Sequence, residues 1–288
     1  MGTDIRERSV DANGLRFAYI EGGEGPLVLV LHGFPDTAWT WSHVMPSLID
    51  AGYRVVAPFM RGYPPTDIPR DGRYDPAALG DDVAGLIDAL NGGEPAFVVG
   101  HDWGAMATYA AIGLHPEKLR RAVTIAIGHP GAVARIFERP DLLRHAFHVW
   151  LFQIPGFSEH AVRHDDLAMI DYLWNLWSPG IADADHIKNV KETLAQPNAV
   201  EAAIGYYRAL LQFPLTHPDE SRRIQFEQAT VPTLTVYGSN DPGSSLAEDE
   251  GRFFTAEHRV AIVDGAGHFV QRERPDALST LVLDWLKE

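Results

Sequence analysis

"VVGHDWGAMA", residues 98–107, decides how this chain is read. An apolar run ends in Gly100, and His101, Asp102, Trp103 and Gly104 follow before a stretch of small helix-forming residues. Strand, Gly-x-acid-x-Gly and helix in that order describe a sharp strand-to-helix turn. The flanking glycines let the backbone double back and push the central side chain out beyond the end of the sheet. The N–H groups that open the following helix point at that spot and favour negative charge there. The better-known form of this turn presents Ser, whereas here the position holds a carboxylate. The competing, plainer reading is that Asp102 only caps the helix, since Asp is a preferred N-cap residue.

On either side of this turn the sequence alternates. Residues 15–20 "LRFAYI", 26–33 "PLVLVLHG", 53–58 "YRVVAP", 95–100 "PAFVVG" and 120–127 "RRAVTIAI" have the length and β-rich composition of strands. Between them, residues 37–52, 75–93 and 103–116 read as helices, the second with Asp75 as N-cap, Pro76 at its first position and Gly92 at its stop. The alternation predicts an α/β architecture: a mostly parallel sheet covered on both faces. From residue 129 to residue 227 the rhythm changes. Helical patterns rich in Trp, Phe, Tyr and His appear at 142–153, 166–180 and 198–212, with no strand among them. Strands resume at 232–238 "PTLTVYG" and 258–265 "HRVAIVDG", and 275–288 closes as a helix. The predicted domains are therefore a core of residues 1–128 and 228–288 and a helical cap of residues 129–227.

Composition narrows the function. With 288 residues, 45% hydrophobic and 22% charged, the chain is an ordinary globular protein. A formal net charge of -15 disfavours nucleic acid as a partner. The absence of cysteine removes disulfides, thiolate catalysis and Cys-ligated metals. The start, "MGTDIRERSVDANG", is charged and has no apolar signal core, and the longest apolar runs are too short to cross a bilayer. A cytoplasmic protein without a membrane partner is expected, as a monomer or homodimer.

Two further pieces complete a constellation. Asp241 follows a strand in "VYGSNDPG", and His268 follows the next strand in "VDGAGHFVQRERP". Taken singly, the first is a turn former and the second a loop histidine. Together with Asp102 they give the order nucleophile, acid, histidine, each at the C-terminal end of a strand. "LVLVLHGFPD", residues 27–36, ends a strand in a loop whose backbone N–H, with that of the residue after the nucleophile, can hold an oxyanion; the candidates are Phe34 and Trp103. A carboxylate nucleophile attacks an sp3 carbon without prior deprotonation, whereas Ser in the same turn serves acyl transfer.

"HGFP", "RGYPPTDIP", "VVGHDWGA", "GSND" and "GAGHFVQRERP" are spread over nearly the whole chain, and with them the sequence resembles the epoxide hydrolases of the α/β-hydrolase fold. The resemblance implies opening of a hydrophobic epoxide by Asp102, hydrolysis of the resulting ester by water activated at His268 and oriented through Asp241, and no metal or organic cofactor. It also implies two cap hydroxyls that donate to the epoxide oxygen. "AAIGYYRALL" resembles the segment that carries one, at Tyr207, with Tyr206 one register away. "HVWLFQIPG" matches the segment that carries the other, but places His148 where Tyr is common. Phe34, Trp103, Trp150 and Phe152, with Tyr206, are the candidate substrate-contacting aromatics. His268 must be neutral to act as a base, so activity is expected to fall below its ordinary pKa of ~6.5. "GHDWG" is shared with haloalkane dehalogenases, which keeps that activity as an alternative; Phe34 stands where those enzymes often have Asn. A non-catalytic small-molecule binder on the same fold is the alternative from another class.

Overall fold

Strands β3 (Leu27–Leu31) and β5 (Ala96–His101) are buried at every residue, the mark of strands covered on both faces. A computed structural model describes residues 5–287, apart from the side chains of Phe137 and Asp249. Around β3 and β5 it builds one sheet with β1 (Arg6–Ala12), β2 (Leu15–Gly22), β4 (Arg54–Pro58), β6 (Leu119–Ile125), β7 (Thr233–Gly238) and β8 (His258–Val263). The order is β1-β2-β4-β3-β5-β6-β7-β8, with β1–β2 and β2–β4 antiparallel and all later neighbours parallel. The helices are α1 (Met45–Asp50), α2 (Pro76–Asn91), α3 (Trp103–Leu114), α4 (Pro130–Val133), α5 (Pro140–His145), α6 (Phe147–Leu151), α7 (Phe157–Trp177), α8 (Ala184–Leu194), α9 (Ala199–Thr216), α10 (Pro218–Phe226), α11 (Val270–Glu273) and α12 (Pro275–Lys287). Helices α4 to α10 all lie between β6 and β7, and among the described residues no strand interrupts them.

Several local expectations change. Strand β1 was not predicted: it pairs with β2 through a two-residue turn in which Asn13 (φ 43°) and Gly14 (φ 75°) are both left-handed, the conformation Asn-Gly favours in hairpins. Residues 37–52 do not form one helix. A 3-10 segment, Ala38–His43, ends before α1, because Pro46 lacks an N–H and is tolerated only in a helix's first turn. The 142–153 pattern splits at Ala146 into α5 and α6, and α7 is interrupted at His164–Leu167 by non-helical backbone. Helix α2 matches its expectation: Asp75 accepts from Ala78 N, and Gly92 closes it at φ 63°. Residues 1–4 of the charged start and Glu288, the last residue of the segment 275–288 expected to be helical, lie outside the described residues.

The β5–α3 turn is tightly packed against its neighbours. Asp102 adopts φ 51° and ψ -115°, a conformation that costs a non-glycine residue about 1–3 kcal/mol and persists only where the surroundings enforce it. A Cβ on Gly100 would lie 2.2 Å from the Gly104 carbonyl oxygen, and one on Gly104 would lie 2.3 Å from that of Leu31. The two glycines thus let α3 start directly against β5 and β3. Gly100→Ala is expected to destabilise the protein by about 3 kcal/mol through overpacking, read as a lower urea midpoint.

Candidate active site

The three C-terminal strand ends converge as their order predicts. His268 Nδ1–H donates to Asp241 Oδ2 at 2.9 Å, and His268 Nε2 lies 3.6 Å from Asp102 Oδ2. Asp241 Oδ1 accepts from Gly243 N–H at 2.8 Å, which fixes the carboxylate on its own turn. Asp102 makes no side-chain cap bond to α3, so the plain N-cap reading does not hold. Its Oδ1 instead accepts the Phe34 backbone N–H at 2.7 Å. The loop that aims this N–H is tied down by His32, whose Nε2 accepts from Met60 N at 3.0 Å while Nδ1 lies 2.9 Å from the Gly33 carbonyl. Burial pushes the His32 imidazole down to about 4, so it stays neutral and can serve as this acceptor.

Electrostatics here differ from the sequence expectation. Burial by itself would lower the His268 pKa, but the hydrogen bond to Asp241, the approach of Asp102 to 3.6 Å and the charges of both groups raise it to about 10. Burial also pushes the Asp102 carboxyl up, yet the close imidazole and charge of His268, with His101 and the Phe34 N–H, hold it below the usual carboxylate range. At rest the Asp102 carboxylate therefore faces a His268 imidazolium. In the free enzyme the base is thus protonated above its ordinary pKa of ~6.5, and the expected acid limb belongs to the ester, in which Asp102 has lost its charge.

Above Asp102 lies a cavity of about 320 Å³ lined by Asp102, Trp103, His148, Trp150, Tyr207, Asp241 and His268 among others. Tyr207 on α9 and His148 on α6 meet edge to face at 5.0 Å. Gln153 links their helices, donating from Nε2 to the Val149 and Tyr207 carbonyls at 2.9 and 3.0 Å. Arg208 adds bonds to the Phe152 carbonyl, Ser158 and Glu159. Burial brings the His148 imidazole down to about 4, so it is neutral. Burial, then the Asp102 charge, raise the Tyr207 phenol well above its ordinary value, so it keeps its proton.

Not every expected residue reaches the cavity. Tyr206 points elsewhere, because successive helical residues diverge by about 100°; its hydroxyl donates to the Arg61 carbonyl at 2.7 Å. The Phe152 side chain is fully buried and packs against Phe34 and Tyr207 at 5.6 and 5.1 Å, behind the wall. The Phe34 ring is buried with it, and only its backbone N–H faces Asp102. Trp150 is half exposed and lines the cavity from α6. The lining also includes Trp177, one of the cap aromatics, and residues that sequence reading passed over: Met106, Ile127, Leu142, Leu210 and Leu246. Met106 stands four residues after Asp102 on α3 and Leu210 three after Tyr207 on α9, so helical spacing could have found these two. Among the described residues, no Lys or Arg lines the cavity, no group of three or more His, Asp or Glu could hold a metal ion, and no helix is long and apolar enough to cross a membrane.

A family model for the alpha/beta hydrolase fold matches residues 26–275. The chain belongs to the alpha/beta hydrolase fold family and groups with its epoxide hydrolases. AB hydrolase superfamily protein YfhM of Bacillus subtilis is 32% identical over 98% of both chains. Epoxide hydrolase 4 of Homo sapiens is 30% identical over 100% of this chain and 80% of its own. The crystal structure of epoxide hydrolase A from Mycobacterium thermoresistibile superposes with a TM-score of 0.83 at 27% identity, covering 99% of this chain and 98% of that one.

The shared imidazolium makes two linked predictions. In the wild type the His268 imidazole should titrate near pH 10 by NMR, and Asp102→Asn should lower that pKa. Because His268 is raised in the folded state, its ion pairs stabilise fully below pH ~6.5 and the stabilisation disappears as pH rises through about 10. The wild-type melting temperature should therefore drop over that range more than that of Asp102→Asn.

Proposed function

We propose that the chain hydrolyses epoxides to vicinal diols through a covalent Asp102 ester. The observation that carries this reading is a carboxylate facing two neutral hydrogen-bond donors, Tyr207 and His148, across one largely apolar cavity. Asp102 Oδ2 attacks an epoxide carbon, the carbon–oxygen bond breaks, and the opening oxygen takes a proton at the Tyr207–His148 pair. Oδ1, already bonded to Phe34 N–H, becomes the ester carbonyl oxygen. Esterification removes the Asp102 charge, so His268 sheds its proton, which replaces the one given to the opening oxygen at the Tyr207–His148 pair, and becomes a base. It then takes a proton from water, and the hydroxide adds to the ester carbon. The oxyanion is held by the N–H groups of Phe34 and Trp103. Collapse expels the diol oxygen, which takes the proton of the added hydroxyl, and the carboxylate–imidazolium pair is restored because His268 keeps the proton drawn from water.

The division of labour assigns residues 1–128 and 228–288 to the catalytic core and residues 129–227 to the cap. The lining without Lys or Arg suits a neutral hydrophobic epoxide. Haloalkane dehalogenation uses the same nucleophile but needs two N–H donors at the leaving halide. The Phe34 side chain offers none, which favours the epoxide reading.

A panel of aryl and aliphatic epoxides with matched bromoalkanes tests it. Diol should form from the epoxides, and Asp102→Ala should remove at least about 10³-fold of that activity. Tyr207→Phe should lower kcat/KM by about 10²-fold, the range for loss of one transition-state donor. Bromide release without diol would overturn the reading in favour of the dehalogenase. The pH dependence should split. kcat/KM reports the free enzyme and should stay level down to the depressed Asp102 pKa, whereas kcat should show an acid limb from His268 in the ester.

A further inference from the structure

The loop that carries His268 is held by three consecutive backbone N–H groups, and two of them are bound by the helical layer. Gly267 N donates to both Glu273 oxygens at 2.9 Å, His268 N to the Trp177 carbonyl at 3.0 Å, and Phe269 N to the Ser178 hydroxyl at 3.2 Å. Ser178 Oγ in turn donates to Glu273 Oε1 at 2.6 Å, which closes the set. Trp177 is the last residue of α7 and Ser178 its C-cap, fully buried. Helix ends leave carbonyls without intrahelical donors, and here the Trp177 carbonyl finds one in the His268 loop. The Phe269 ring stacks flat on Trp174 of the same helix at 3.6 Å. A Cβ on Gly267 would lie 2.5 Å from the Trp177 oxygen and 2.8 Å from Ser178 Oγ, so only glycine allows this approach. The end of α7 and the His268 loop are thus one hydrogen-bonded unit.

Asp102 shares none of these contacts. It is held by the β5–α3 turn and by Phe34 N–H. We infer that Ser178 and Glu273 are positioning residues for the second half of the reaction: by gripping the His268 backbone they aim Nε2 for water activation, and they leave attack by Asp102 untouched. The inference rests on the ester mechanism proposed above. A displacement of about 1 Å in a reacting group can cost about 10²-fold in rate. Loosening the loop should therefore slow ester breakdown and let the alkyl-enzyme accumulate. When breakdown slows and formation does not, kcat and KM fall by the same factor and kcat/KM holds.

Styrene oxide is a suitable probe, with rapid-quench intact-mass measurement of the adduct alongside steady-state kinetics. Ser178→Ala, which deletes one oxygen, is expected to accumulate adduct, with kcat down at least about tenfold and kcat/KM within about twofold of wild type. Glu273→Ala should give the same split. Glu273→Gln, which retains an acceptor for Gly267 N–H, should recover most of kcat. Equal slowing of adduct formation and breakdown, or no change in either, would overturn the assignment of Ser178 and Glu273 while wild-type turnover leaves the epoxide reading standing. Absence of both adduct and diol in the wild type would overturn the epoxide reading itself, and this assignment with it.

Discussion

One imidazole held between two carboxylates organises this molecule. Two acids brought together away from bulk water would each resist ionisation, and burial would resist it further. His268 lies against both, and each acid has a second hydrogen-bond donor of its own: the Phe34 N–H for Asp102, the Gly243 N–H for Asp241. The arrangement is also a timing device. A base that is protonated while the nucleophile is charged does not squander water on a free active site. It becomes competent when the nucleophile has been consumed, because that event deletes one of the two charges that kept it protonated.

The helical layer is bound to this centre from several directions. Trp174 Nε1 donates to the Pro35 carbonyl at 2.9 Å, in the same loop whose Phe34 N–H meets Asp102. His186 of α8 and Asp36, both buried, pair at 2.7 Å one residue further along. Arg272, just after the His268 loop, pairs with Asp183 at 2.6 Å. The layer that carries the donors therefore also clamps the loops that carry the nucleophile's N–H partner and the base. Packing of His148 and Tyr207 in that layer is what keeps one neutral and the other protonated, so their chemistry is a consequence of burial and not of residue type alone.

What could be read from sequence was what is local. The turn at Asp102, the ends of β7 and β8, and helix α2 with its Asp75 cap each depend on a few adjacent residues, and their types state the geometry. Strand β1 was legible in the same way, from Asn13-Gly14 between alternating residues, and was passed over because its charged face resembles a solvated tail. Pro46 likewise announced the break before α1. Tyr207 and His148 came from resemblance, since nothing in either segment says which turn of the helix faces Asp102. The choice between Tyr206 and Tyr207 is settled by Arg61, 145 residues away. The protonation of His268 was beyond sequence altogether: it depends on Asp102 and Asp241 arriving on two sides of one ring, which raises its pKa above the ordinary histidine value.

The cavity wall bears on the end of the catalytic cycle as well as its beginning. Its surface away from Asp102 is formed by side chains such as Met106, Leu142, Leu210 and Leu246, with no Lys or Arg among the described residues. An epoxide brings one weak acceptor oxygen into this space, and Tyr207 and His148 can satisfy it. A diol brings two hydroxyls, each of which loses about 1–3 kcal/mol of hydration if it finds no partner. Partitioning alone therefore draws the less polar molecule in and drives the more polar one out, so turnover is ratcheted forward by the difference in affinity of water for the two.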